Sequence, residues 1–138
     1  MINFSFLDVF LLFNTRLLKF GMVGVSGMVV DFGLTWLCKE KLKWNRYVAN
    51  SIGFSTAVIN NFLINRDWTF SDSTVHDTPR QFTSFTLIAL IGLALNNLIV
   101  YLFHKKGGLN FYVSKLIAIA IVFIWNYFAN IYFTFKVA

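Results

Sequence analysis

One carboxylate, Asp31, lies inside FGMVGVSGMVVDFG (20–33), where every other residue is glycine, serine or apolar. The other residues able to do chemistry in apolar surroundings are amides and a few bases: Asn50, Asn60, Asn61, Asn65, Asn96, Asn126, Asn130, Arg66 and Lys115. An ionised Asp at the centre of a bilayer costs about 2.5–3.5 kcal/mol on insertion scales. Asp31 therefore either meets a cation, as Lys115 would supply, or keeps its proton and hydrogen-bonds a neighbouring backbone. Such a set binds polar ligands, senses a substrate or relays protons. Covalent chemistry has no candidates: the sequence has no Gly-rich phosphate loop, no nucleophile beside a base and no His-Cys-carboxylate cluster. We expect no enzyme, no metal and no cofactor.

Spacing groups these residues. Gly24, Gly27, Asp31 and Thr35 share one helical face, so GMVGVSG reads as a seam of close helix approach with Asp31 turned toward protein or a cavity. Lys115, Asn126 and Asn130 fall within about 60° of one face, and Asn50, Asn61 and Asn65 repeat that arrangement with Asn60 beside them. Two such stripes fit interhelical amide pairing, worth about 0.6 kcal/mol per pair, and equally the lining of one shared groove. Arg66 stands where a helix leaves the apolar region, followed by Trp68 and Phe70. Trp anchors helices at membrane interfaces, and Arg grips phosphate with two parallel hydrogen bonds.

The elements that position these residues follow from composition. Of 138 residues, 57% are hydrophobic and 13% charged, where a soluble domain carries about 25% charged. The polar surface is too small to coat a soluble helical core, and the chain falls in the membrane class. Single Cys38 excludes an internal disulfide, and His76 and His104 sit in polar connections. The net charge of +6 comes from bases at segment ends, where they meet lipid phosphates. No nucleic-acid motif accompanies them.

A span needs roughly 20 apolar residues. Four stretches qualify, about Leu17–Cys38, Trp44–Ile64, Phe82–Phe103 and Phe111–Ile131, joined by KEKLKW, RDWTFSDSTVHDTPRQ and HKKGGLN. MINFSFLDVFLLF has no basic start and no cleavage site, so it reads as a short interfacial lead-in helix rather than a signal peptide.

The chain also repeats. At an offset of 65 residues, NRYVANSIGFSTAVINNFLINRDWTF (45–70) falls on NFYVSKLIAIAIVFIWNYFANIYFTF (110–135) without a gap. Three asparagines of one stretch besides Asn50, and a terminal Thr-Phe, meet identical residues. The first helices follow the same register, Phe20 on Phe85, Gly27 on Gly92 and Asp31 on Asn96. The expected architecture is an all-α membrane protein, a single domain over 1–138. Its four transmembrane helices form two parallel hairpin repeats, about 17–70 and 82–135, with a binding site at their interface. Bases are nearly balanced between the two membrane sides, so charge does not fix the orientation.

From about Leu17 to Phe135 the chain resembles the GtrA-like family. The resemblance is carried by KFGMVGVSGMVVDFGLTWLC, by VANSIGFSTAVINNFLINRDWTF ending in N-R-x-W-T-F, and by the closing NIYFTF. It implies a multi-pass inner (cytoplasmic) membrane protein with cytoplasmic termini. It also implies flipping of a polyprenyl-phosphate-linked sugar, made by a membrane-associated glycosyltransferase, for cell-surface polysaccharide or teichoic-acid decoration. The positions that match the family motifs are Asp31, Asn61, Asn65, Arg66, Trp68, Thr69 and Phe70. Under this reading the asparagines pair with sugar hydroxyls, and Arg66 and Lys115 meet phosphate. The remaining expected partners are membrane lipids and further copies of the chain, with no nucleic acid. Two other classes stand beside it: a non-transporting anchor for the glycosyltransferase, and a proton-coupled small-solute exporter working through Asp31.

Overall fold

The computed structural model describes residues 5–136, with the backbone alone for Arg46, Tyr47 and Tyr112. It contains four helices, α1 (Phe6–Trp36), α2 (Arg46–Ile64), α3 (Thr78–Val100) and α4 (Phe111–Ala129), each continued by a π-helical segment. No strand occurs among the described residues. Contacts gather into two compact units, Met1–Ser71 and Asp72–Ala138. In the first, α1 packs on α2; in the second, α3 packs on α4.

Local signals set the helix starts. Ser5 caps α1 through a reciprocal box: its hydroxyl accepts from Asp8 N at 3.2 Å, and Asp8 Oδ2 accepts from Ser5 N at 3.0 Å. Asp77 caps α3, accepting from Arg80 N at 3.2 Å, and Pro79 occupies the first turn where its missing N–H is not needed. The expected separate lead-in helix is corrected here. Phe6 to Trp36 form one helix of 31 residues, about 46 Å long at 1.5 Å per residue. No Gly or Pro interrupts it between Phe13 and Leu17, and Thr15 stays in the helix by donating to Leu11 O at 2.9 Å. Residues 1–4 of the expected lead-in lie outside the described residues.

Among the described residues, the stretches Phe6–Lys41, Thr78–Lys106 and Val113–Phe135 are long and apolar enough to cross a membrane. The expected second span is the exception, because Asn50, Ser51, Ser55, Thr56, Asn60 and Asn61 dilute α2. Large side chains such as Leu18, Val25, Phe32, Leu116 and Ile124 are exposed, a surface that lipid covers and water does not tolerate. The chain is a multi-pass membrane protein.

The π-helical ends widen the last turn, so the closing bond spans five residues: Phe70 N donates to Asn65 O at 2.7 Å, and Gly107 N to Leu102 O at 2.8 Å. The extra residue per turn swings the following side chain inward. Phe70 is fully buried against Phe20, ring centroids 6.1 Å apart. In the second unit Phe135 is fully buried against Phe85 at 6.4 Å.

Each hairpin turns through a left-handed residue, Lys43 (φ 57°) in one and Gly108 (φ 71°) in the other. Glycine takes this conformation freely, whereas a lysine pays for its Cβ about 1–2 kcal/mol. Lys43→Gly is therefore expected to stabilise the first unit by about 1 kcal/mol, read as a higher thermal midpoint in detergent. A lower midpoint would show that the lysine side chain supports the turn.

Candidate functional site

In the first unit the polar groups lie along the α1–α2 contact. Asp31 is half-buried and its Oδ1 accepts from Thr35 Oγ1 at 3.3 Å, one helical turn on. Thr35 Oγ1 also lies 3.5 Å from Ala49 O on α2. Gly53 makes this approach possible: a Cβ there would meet Asp31 O and Oδ1, both 2.6 Å away, and Thr35 Oγ1. About one and a half turns before Asp31 on α1, Ser26 Oγ accepts from Asn60 Nδ2 at 3.1 Å, and Asn60 Nδ2 also donates to Asn61 Oδ1 at 3.3 Å. Ser26 Oγ in turn donates to Val23 O at 2.7 Å. Asn61 lies flat on Gly27, whose missing Cβ leaves room for the amide. The seam therefore runs through Gly27, Asp31 and Thr35. Gly24, expected on it, is corrected: it is exposed with open space where a Cβ would stand.

At its other end this hairpin carries bases and an indole. Lys19 Nζ lies 5.2 Å from the centre of the Trp68 ring, a cation–π contact. Arg66 Nε lies 3.4 Å from Asp67 Oδ1, a pair open to solvent that contributes little by itself. Asn65 Oδ1 and Thr69 Oγ1 are buried without a hydrogen-bond partner. Asn50 is exposed and joins none of these bonds.

The second unit repeats the groups with different partners. Asn126 packs on Gly92, its Oδ1 2.9 Å from where a Cβ would sit. Asn130 is buried, donating to Asn126 O at 2.7 Å and accepting from Thr134 Oγ1 at 2.7 Å; Ser84 Oγ lies 2.9 Å from Thr134. The residue at the register of Ser84 in the first unit is Lys19, drawn out to Trp68. Thr69 therefore has no serine hydroxyl where Thr134 meets Ser84. Asn96 and Lys115 come together at the turn end of α3 and α4, lining a cleft of about 360 Å³ with Asn97, Tyr101, His104 and Lys105.

These contacts fall in the stretches that carried the family resemblance: the Gly-rich run with Asp31, the helix ending in N-R-x-W-T-F, and the closing NIYFTF. A profile of the GtrA/DPMS transmembrane domain matches residues 19–135. The chain belongs to this family. Over 115 residues it is 31% identical to a dolichol-phosphate mannosyltransferase of Pyrococcus furiosus, covering 83% of this chain and 32% of that protein. It is 24% identical over 123 residues to the cell wall teichoic acid glycosylation protein GtcA of Listeria innocua, covering 88% of this chain and 85% of the relative. It is 27% identical over 112 residues to the membrane protein YngA of Bacillus subtilis, covering 81% and 74%. The chain thus spans about a third of the Pyrococcus relative and most of the other two.

Within this GtrA/DPMS domain, sequence reasoning missed Ser26, Gly53, Lys19, Ser84 and the His104–Lys105 pair. The last had a readable signal. Asn97, Tyr101 and Lys105 recur every four residues, which continues the α3 face past the point where HKKGGLN reads as a loop. Lys19 had none, because its partner Trp68 is remote in sequence.

Proposed function

We propose that the protein carries a polyprenyl-phosphate-linked monosaccharide across the cytoplasmic membrane for decoration of a cell-surface polymer such as teichoic acid. The observation that carries this reading is the polar track of the first unit. Asp31, Ser26, Asn60 and Asn61 lie half-buried on the helix contact, and the track ends at Arg66, Lys19 and Trp68. A lipid-linked sugar asks for those groups in that order: amides for hydroxyls, a guanidinium for a phosphodiester, an indole at the membrane interface. Apolar flanks left open to lipid suit its prenyl chain. The teichoic-acid names of the Listeria relatives support the polymer class, and the mannosyltransferase name supports a prenyl-phosphate sugar as ligand. This reading assigns the transferase reaction to a separate membrane-associated partner.

One observation favours a second reading. The matched region makes up 32% of the Pyrococcus mannosyltransferase, which suits a non-transporting anchor beside a catalytic unit. Combined Asp31→Asn, Arg66→Gln and Lys115→Gln in a host lacking its own copy separates the two. Translocation predicts loss of surface glycosylation while the protein remains in the membrane. Wild-type glycosylation by the triple variant would establish the anchor instead.

A further inference from the structure

We propose that the cleft at the turn end of α3 and α4 is a phosphate-ester site, distinct from the Arg66 end of the first unit. Its cavity of about 360 Å³ is lined by Asn96 and Asn97 on α3, by Tyr101, His104 and Lys105 on the π-helical segment that continues it, and by Lys115 on α4, with Val100 and Phe111 as its apolar wall. The residues of α3 and its continuation recur at helical spacing, so one face presents amides, a phenol, an imidazole and an ammonium together. Lys115 adds the second ammonium from across the cleft.

The charge balance identifies the ligand class. Between Thr78 and Lys136 the chain has no Asp or Glu, so neither α3 nor α4 holds a carboxylate to neutralise Lys105 and Lys115. His104 Nδ1 lies 2.9 Å from Leu109 O, which requires a proton on Nδ1. Its ring is held edge-on to Phe111 at 5.5 Å. Two ammonium groups match two non-bridging oxygens of a phosphate ester, and Asn96, Asn97 and Tyr101 offer partners for an attached polar group. The register-equivalent positions in the first unit are Asp31 for Asn96, Glu40 for Lys105 and Asn50 for Lys115. The first unit thus has two carboxylates and an amide where the cleft has an amide and two ammonium groups, so the same positions there do not favour an anion. The translocation reading supplies one source of the ester, a prenyl-phosphate-linked sugar; an ordinary phospholipid headgroup is the other, and only the first identification rests on that reading.

The test is calorimetric titration of the purified full chain in a non-ionic detergent with farnesyl phosphate, with farnesol as the uncharged control. Lys105→Gln and Lys115→Gln are each expected to weaken farnesyl phosphate about tenfold, Lys115→Arg to retain most of the affinity, and Lys106→Gln, outside the cleft, to change nothing. Each variant is compared at equal thermal stability. Farnesyl phosphate that survives an excess of phosphatidylglycerol assigns the cleft to the prenyl ester; displacement at equal concentration assigns it to phospholipid headgroups, still as a phosphate site. Binding indifferent to both lysines, or equal binding of farnesol, overturns the site. Because the readout is binding, a protein that binds through these lysines but moves no lipid would refute translocation and leave the cleft intact.

Discussion

Gly53→Ala is expected to destabilise the first unit by about 1–3 kcal/mol, the range for forcing an extra methyl into a packed contact. The reason is what the methyl would strike. Asp31 O is a helix carbonyl 2.6 Å from the new Cβ, and it cannot rotate away without opening the α1 ladder. Asp31 Oδ1, at the same distance, is tied to Thr35. The two helices must separate, which also breaks the approach of Thr35 to Ala49 O. Gly24→Ala provides the contrast. Nothing lies within 4 Å of its Cβ position, so the change should be neutral or stabilising by about 0.5–1 kcal/mol through the helix preference for alanine. The measurement is thermal unfolding of both variants in the same detergent. Equal midpoints for the two would show that α1 and α2 do not meet at Gly53.

Arg66→Ala is expected to cut transport of a prenyl-phosphate sugar by about 10–100-fold, the equivalent of one charge-assisted, bidentate phosphate contact. Arg66 is half-exposed and, among the described residues, pairs with Asp67, an ion pair open to solvent. Its removal leaves no buried carboxylate stranded, so stability should change by less than about 1 kcal/mol. That separation makes the variant informative: the loss falls on flux and not on folding. Arg66→Lys keeps the charge but not the fork, and should recover part of the rate. A variant that transports at the wild-type rate would remove Arg66 from the substrate path.

Several parts of this arrangement were legible in the residues. The register match of Gly27 with Gly92 and of Asn61 with Asn126 names the two pairs that touch within their own units. Asp31 and Thr35 are one turn apart, and their hydrogen bond is local. Contacts set by side-chain reach were not legible. Lys19 and Trp68 are 49 positions apart, and Trp68 is an ordinary interface residue by type. With Lys19 at the register of Ser84, Thr69 lacks the hydroxyl partner that Ser84 gives Thr134. The π-helical ends were equally hidden, because a bond from residue i to i+5 leaves no compositional mark. They carry α3 on to Lys106 and so turn an apparent loop into the wall of a cleft. The lead-in and the first span fused because the residues between them lack a breaker, and a change in polarity alone does not end a helix.

Transport by the purified protein is the most direct test. Liposomes containing only this chain would be given a short-chain prenyl-phosphate sugar in the outer leaflet, and its arrival in the inner leaflet followed over time. Translocation predicts transfer well above protein-free vesicles, lost with Arg66→Ala and reduced with Asp31→Asn. Transfer at the protein-free rate, from chain shown to be folded in the bilayer and to bind a glycosyltransferase, would contradict the carrier and make the protein an anchor.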